Sequence, residues 1–435
     1  MVRYRRRGRR TAIALLTLLL AGAAFAGTVA VIRLRARPPL PQVNLTSATT
    51  LPVLPSPAPK VLSPPTGSFA LEVSGPRLLS GGPVRVASLD DTAPHPIASV
   101  AKALTALVVL QLRPLGPGQD GPEYRITAAD VADYRAAQTA GGSTVFVSEG
   151  ETFTERQLLL ALMLPSGNNI ADTLARWAAG SREAFLVKAN QEAQTLGMTS
   201  THLADPSGFD AATVASTTDL VALGRAVLAE PALAAIVATK EATLPDGTAM
   251  SNLDTALFDV PGWLGIKTGN SDPAGGCLLF AARRAPDGDP DPADAVTVIG
   301  AVLGQHSTAS GAGPADDRAA ALYAAKTAVN STLSQLVPLR ATELAPELSG
   351  TVEAPWGAST PVALGTPVQP HPWVARKGTT LDMRLTRDAQ PAPLAAGAAI
   401  GRLEARAGSI LVATWPVQVL RDVPAPDWTW RLQHD

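Results

Sequence analysis

Apolar positions along the 435-residue chain change spacing three times, and each texture predicts a different kind of element. Thr11 to Ile32 holds no charged residue over 22 positions, enough for one helix to cross the hydrocarbon core of a bilayer. From residue 67 to 338 the pattern is mixed. Short apolar runs at Phe69 to Val73 and Val84 to Ser88 predict strands, and helical spacing then continues from Ser99 to about Ala193. Strands return from Ile266 through Leu279 and from Val296 to Leu303, before a helix at Asp317 to Leu336. Strands from both ends of this stretch must pair into one sheet flanked by the helices between them, an α+β arrangement. From 341 to 435 the runs are short and alternating, at Thr379 to Leu385, Ile400 to Ala405 and Ile410 to Leu420, with Gly, Pro and Asp between them. That texture predicts a small all-β domain.

The flanks of the apolar run set its orientation. Residues 1–10 carry six arginines and no acid, more than Arg33, Arg35 and Arg37 on the far side, so the N-terminus is expected to stay in the cytoplasm and the body to be exported. Ala24-Phe25-Ala26 has the small-x-small form of a signal-peptidase site, and a cleaved leader is the rival reading. The run continues beyond it to Ile32, whereas a leader's apolar core spans ~7–15 residues, which favours a retained anchor. Residues 33–66 then hold nine prolines and read as a stiff spacer, reaching on the order of 100 Å if wholly polyproline-like.

Composition narrows the chemistry. Hydrophobic residues make up 46% of the chain, ample for a buried core, and the net charge of −1 conceals a mildly acidic body behind a basic N-terminus. Such a body offers no phosphate-binding face, so nucleic acid is excluded as a partner. The single Cys277 rules out an internal disulfide and, among apolar neighbours, reads as core. The five histidines are scattered without metal-ligand spacing; no metal and no cofactor are implied, and His95 reads as a loop residue.

Three short strings carry the candidate chemistry: Ser99-Val100-Ala101-Lys102, Ser166-Gly167-Asn168 and Lys267-Thr268-Gly269, each present once and about 67 and 101 residues apart. Ala98 to Leu112 predicts a helix that is apolar nearly all round and therefore buried. Ser99 and Lys102, three apart, share one face of it. A serine hydroxyl needs a base to take its proton, and a lysine serves only while its amine is neutral, a state that burial among Leu104, Leu107 and Val108 favours. Ser166-Gly167-Asn168 follows the apolar run Leu158 to Leu164 and Pro165, which predicts a turn after a helix. There Ser166 can relay a proton, and the Asn168 amide can hold a substrate carbonyl and Lys102. Lys267-Thr268-Gly269 lies on a strand whose edge offers a fixed cation, a hydroxyl and backbone donors to an anionic extended peptide. Alone, each string has a bland reading, respectively an N-cap, an ordinary turn and a solvated strand edge.

Together the strings resemble the serine-type D-alanyl-D-alanine carboxypeptidases, the low-molecular-mass penicillin-binding proteins of the β-lactamase/transpeptidase-like superfamily. The likeness extends to Pro96-Ile97-Ala98-Ser99, Leu196-Gly197-Met198, Asp205-Pro206-Ser207-Gly208-Phe209, Ser216-Thr217-Thr218-Asp219-Leu220 and Ala274-Gly275-Gly276-Cys277-Leu278, and covers about Ser68 to Pro338. It implies the penicillin-recognising fold, with its largest groove where the Lys267 strand faces the Ser99 helix. By the same resemblance Ser99 is the nucleophile, Lys102 its base and Ser166 an aid to proton transfer. Asn168 and Gly269 bind substrate, Lys267 and Thr268 hold the terminal carboxylate, and the backbone N–H groups of Ser99 and Asn270 form the oxyanion hole. The implied reaction removes the terminal D-alanine from peptidoglycan pentapeptides through an acyl-serine intermediate, with β-lactams as covalent inhibitors.

Two stretches depart from the family's pattern: Asn270-Ser271 after the glycine, and Asn252-Leu253-Asp254 where an N-x-N is common. The C-terminal stretch resembles the family's β domain, but Trp428 to Asp435 is too short for the amphipathic anchor helix that often follows it, so the N-terminal span is expected to replace that anchor. The rivals are a β-lactamase, for which Glu230-Pro231-Ala232-Leu233-Ala234 comes near an E-x-x-L-N string without its asparagine, and an idle wall-binding scaffold, which would have lost Ser99, Lys102 or Lys267.

Overall fold

The computed structural model describes residues 2–47, 50–52, 60–62, 64, 66–286, 294–307, 313–344, 346–369, 371–388 and 390–434. The chain folds as two compact units, one of residues 56–338 and 373–377, the other of residues 1–55, 339–372 and 378–435.

The first unit is built on a five-stranded antiparallel sheet in the order Trp263–Ser271, Gly275–Arg284, Val296–Gln305, Ser68–Ser74, Val84–Leu89. Strands from the two ends of the unit thus meet, with Ala70 opposite Ala301. Period-2 alternation divides the strand Gly275–Arg284 between two cores. Cys277, Leu279 and Ala281 point into one, Leu278, Phe280 and Ala282 into the other. Because helices cover both faces, the strand reads as one continuous apolar run instead of alternating with polar residues. On one side lies Pro314–Leu333, and on the other the helical layer that contains Ala101–Leu112. Ten of that helix's twelve residues are buried, as its unbroken apolar surface demands.

The second unit holds a seven-stranded sheet in the order Gln42–Ser47, Leu348–Glu353, Ser359–Leu364, Ile410–Val419, Ala399–Ala407, Thr380–Arg387, Thr50–Pro52. Its two outermost strands come from the segment read above as a spacer, and here the structure departs from that reading. Proline is absent from 42 to 51, and Val43 and Leu45 alternate with polar residues, so this stretch can pair and pack. Val43 pairs opposite Val352 and Leu51 opposite Leu381. The apolar run near the N-terminus is one helix, Val2–Arg35, longer at both ends than the 22 uncharged positions; its Arg10–Arg35 stretch is long and apolar enough to cross a membrane.

Candidate active site

Ser99 does not sit inside the long helix. It occupies a 3-10 turn, Ala98–Val100, that leads into it, with Ala98 at φ 44°. The tight turn leaves Ser99 among amides that have no i−4 acceptor, and it keeps the three-residue spacing to Lys102 on one face. Lys102 Nζ lies 2.7 Å from Ser99 Oγ, 2.7 Å from Asn168 Oδ1 and 2.8 Å from the Ser207 carbonyl oxygen. The last two groups can only accept, so together they take two N–H bonds. In a neutral amine the remaining lone pair then faces the Ser99 hydroxyl, which can donate. Lys102 is fully buried. Desolvation, followed by repulsion from Lys267, holds its pKa well below the ordinary lysine range, while Asp205 and Asp172 oppose the shift.

The second string caps the helix Asn168–Ala179. Ser166 stands at φ 70°, a left-handed conformation that costs a non-glycine residue on the order of 1 kcal/mol or more. Its hydroxyl is buried and has no hydrogen-bond partner among the described residues. The Asn168 amide N–H donates to the Ser143 carbonyl at 2.8 Å, which ties the turn to the cleft wall.

The third string lies along the edge strand Trp263–Ser271, and its register places Gly269 opposite Cys277. A Cβ on Gly269 would stand 2.8 Å from the Ile97 carbonyl and 3.1 Å from the Val100 amide, so the glycine is what lets this strand approach the Ser99 turn. Lys267 is buried rather than solvated, and its Nζ donates to the Thr268 carbonyl at 3.0 Å. Desolvation pushes its pKa down to about 7, partly offset by Asp254, whose own carboxyl is pushed up to about 6 by burial. Asp254 accepts from Trp263 Nε1 at 2.8 Å.

The three strings line one cleft of about 450 Å³, together with Gly142, Phe209, Asp272 and Arg318. A shallower, more open depression lies around Leu186 and Leu203. His95 is no loop residue: it pairs with Ala215 in a two-residue strand. Cys277 is buried, its thiol pushed up to about 12 by desolvation. Glu230 caps the helix Pro231–Val237, accepting from Ala232 N. Among the described residues no group of three His, Cys, Asp or Glu gathers to hold a metal.

Sequence reasoning gave no role to three contributors. Asp205 is buried and accepts from Ser207 N and Oγ, Phe209 N and Thr213 Oγ1, folding a loop whose Ser207 carbonyl meets Lys102 and whose Pro206 carbonyl takes the Thr105 hydroxyl at 2.7 Å. Arg318, on the helix Pro314–Leu333, faces the cleft near Lys267. Asp254 figured only as a departure from an N-x-N stretch. The Asp-Pro-Ser-Gly-Phe string was a visible signal for the first; long-range packing alone produces the other two.

A family model described as D-alanyl-D-alanine carboxypeptidase matches residues 84–292. The D-alanyl-D-alanine carboxypeptidase DacB2 of Mycobacterium tuberculosis is 39% identical over 205 residues, 46% of this chain and 66% of the relative. A D-alanyl-D-alanine carboxypeptidase of Streptomyces sp. strain K15 is 30% identical over 226 residues, 48% of this chain and 72% of the relative. The chain therefore spans about two thirds of the length of these curated relatives. Among solved structures, a penicillin-binding protein homolog from Mycobacterium tuberculosis matches at a TM-score of 0.51 and 29% identity, over 64% of this chain and 96% of that one.

Proposed function

Because the chain belongs to the D-alanyl-D-alanine carboxypeptidase family, we propose that it removes the terminal D-alanine from peptidoglycan stem peptides through an acyl-serine intermediate. The observation that carries this reading is the buried Lys102 amine, 2.7 Å from the Ser99 hydroxyl, its pKa held well below the ordinary lysine range by desolvation.

In this mechanism the Lys102 lone pair takes the Ser99 proton as Oγ attacks the carbonyl carbon of the penultimate D-alanine. The oxyanion is held by the backbone N–H groups of Ser99 and Asn270, the latter on the strand that Gly269 brings close. Ser166, buried with its hydroxyl otherwise unengaged, passes a proton to the leaving D-alanine amine, and water then hydrolyses the ester by the same route in reverse. Lys267, Thr268 and Arg318 hold the terminal carboxylate. Arg318 adds a planar guanidinium, whose forked donors match a carboxylate. Asn168 holds both Lys102 and the peptide backbone. A β-lactam, presenting a carboxylate and a strained amide in the same geometry, would acylate Ser99.

The helix Arg10–Arg35 serves in this reading as a single-pass anchor, with the six arginines inside and the chain from residue 36 onward outside the cytoplasm. Recovery of the protein outside the cell as a soluble, N-terminally trimmed species would overturn that part. The activity is tested by giving the purified protein a D-alanyl-D-alanine peptide and a labelled penicillin. Free D-alanine and a long-lived label on Ser99 support a carboxypeptidase. Rapid turnover of penicillin would make it a β-lactamase, and inertness to both a scaffold.

A further inference from the structure

The apolar helix Val2–Arg35 and the short helix Trp428–His434 cap each other. Arg431 Nη1 donates to the Leu34 carbonyl at 2.8 Å, and Arg33 Nη1 donates to the Leu432 carbonyl. Each acceptor lies in the last turn of its helix, where carbonyls lack an intrahelical donor and the dipole favours a cation. Trp430 stands edge-on to Trp356 with centroids 5.7 Å apart and stacks on His434 at 4.7 Å. Trp356 Nε1 donates to the Pro424 carbonyl at 2.9 Å. Trp428 beside them is 66% exposed.

This arrangement fixes a depth. If Thr11 to Ile32 fills the hydrocarbon core, Arg33 and Leu34 lie at its boundary, and whatever is bonded to them lies there too. Tryptophan and arginine are the side chains suited to that layer, the one with an apolar body and a single polar edge, the other with donors for phosphate. Arg33, Arg35, Arg37 and Arg431 make the patch cationic. The nearby carboxylate of Asp427 is exposed and caps the short helix, accepting from Thr429 Oγ1 and Trp430 N. Arg431 directs two of its donors at the Pro426 and Leu34 carbonyls, and a guanidinium has five.

We propose that Trp356, Trp428, Trp430 and Arg431 form a collar seated in the headgroup layer of an anionic bilayer, which holds the unit containing the seven-stranded sheet against the membrane surface. The inference rests on the reading of Arg10–Arg35 as a retained span. The full chain is reconstituted in phosphatidylcholine vesicles, with and without phosphatidylglycerol, carrying bromines at headgroup depth. Two of the seven tryptophans are changed in Trp428→Phe/Trp430→Phe. The double variant should lose most of the bromine quenching that the wild type shows, and Arg431→Gln should weaken the preference for phosphatidylglycerol about fivefold. Equal quenching in wild type and double variant overturns the proposal, provided thermal unfolding is unchanged. Alkaline carbonate extraction separates the two readings: release of the wild type sinks the span itself, whereas retention without differential quenching sinks only the collar.

Discussion

Two lysines share one cleft and are given opposite tasks by small differences in surroundings. Lys102, with no carboxylate bonded to it and Lys267 as a repelling neighbour, is held well below the ordinary lysine range. Lys267, with Asp254 nearby, stays near about 7. A depressed lysine holds its proton only below its own pKa. The peptide carboxylate should therefore be gripped best below about pH 7, and kcat/KM should fall as pH rises through that value. Bound carboxylate returns counter-charge to Lys267, so kcat should hold to higher pH, a split that initial rates across pH would reveal. Lys102→Ala should slow acylation by roughly 10²- to 10⁴-fold, measured by stopped-flow penicillin labelling, with little change in peptide affinity. Ser99→Ala should abolish labelling.

Among elements, close approach decides the geometry. Gly208 is at φ +75°, and a Cβ there would lie 1.8 Å from the Ala98 carbonyl, so the Asp205–Phe209 loop can touch the Ser99 turn only through a glycine. Gly208→Ala should cost about 2 kcal/mol or more and lower the acylation rate, as read from thermal unfolding and penicillin labelling. Asp205 acts on Lys102 through that same loop. Asp205→Asn removes a charge that raises the pKa of Lys102, so the acid limb of the acylation rate should move to lower pH, while lost acceptors cost about 1–3 kcal/mol of stability. A limb that stays put while the protein is destabilised would reduce Asp205 to a packing role. The helix and strand carrying the first and third strings were legible because their apolar periods are strong. The Asp205 string was visible too, but the part Asp205 plays was not, because the acceptors it organises lie on a loop with no period at all.

At the scale of the whole chain, the sheet of the second unit takes both outer strands from residues 42–52. Val43 and Leu45 pack onto its core, and Gln42–Ser47 covers an edge that would otherwise be unpaired. A protein starting at residue 38 should keep the thermal transition of this unit. One starting at residue 56 should lose several degrees and gain protease sensitivity within 348–387, which differential scanning calorimetry and limited proteolysis would register. The Pro-rich composition of 33–66 hid these strands, since prolines on both sides dominate the average while residues 42–51 have none and only the last paired residue, Pro52, is a proline.

The order and spacing of Ser99, Lys102, Ser166, Asn168 and Lys267 stood in the sequence, as did the buried helix, the central strands and the long apolar run, because side-chain type and period are local properties. The electrostatic state of the cleft was decided only by tertiary structure. Whether a lysine is charged depends on how much water is removed around it and which groups replace that water, and Asp205, Ser207, Asp254 and Arg318 reach the site from segments that no local pattern connects.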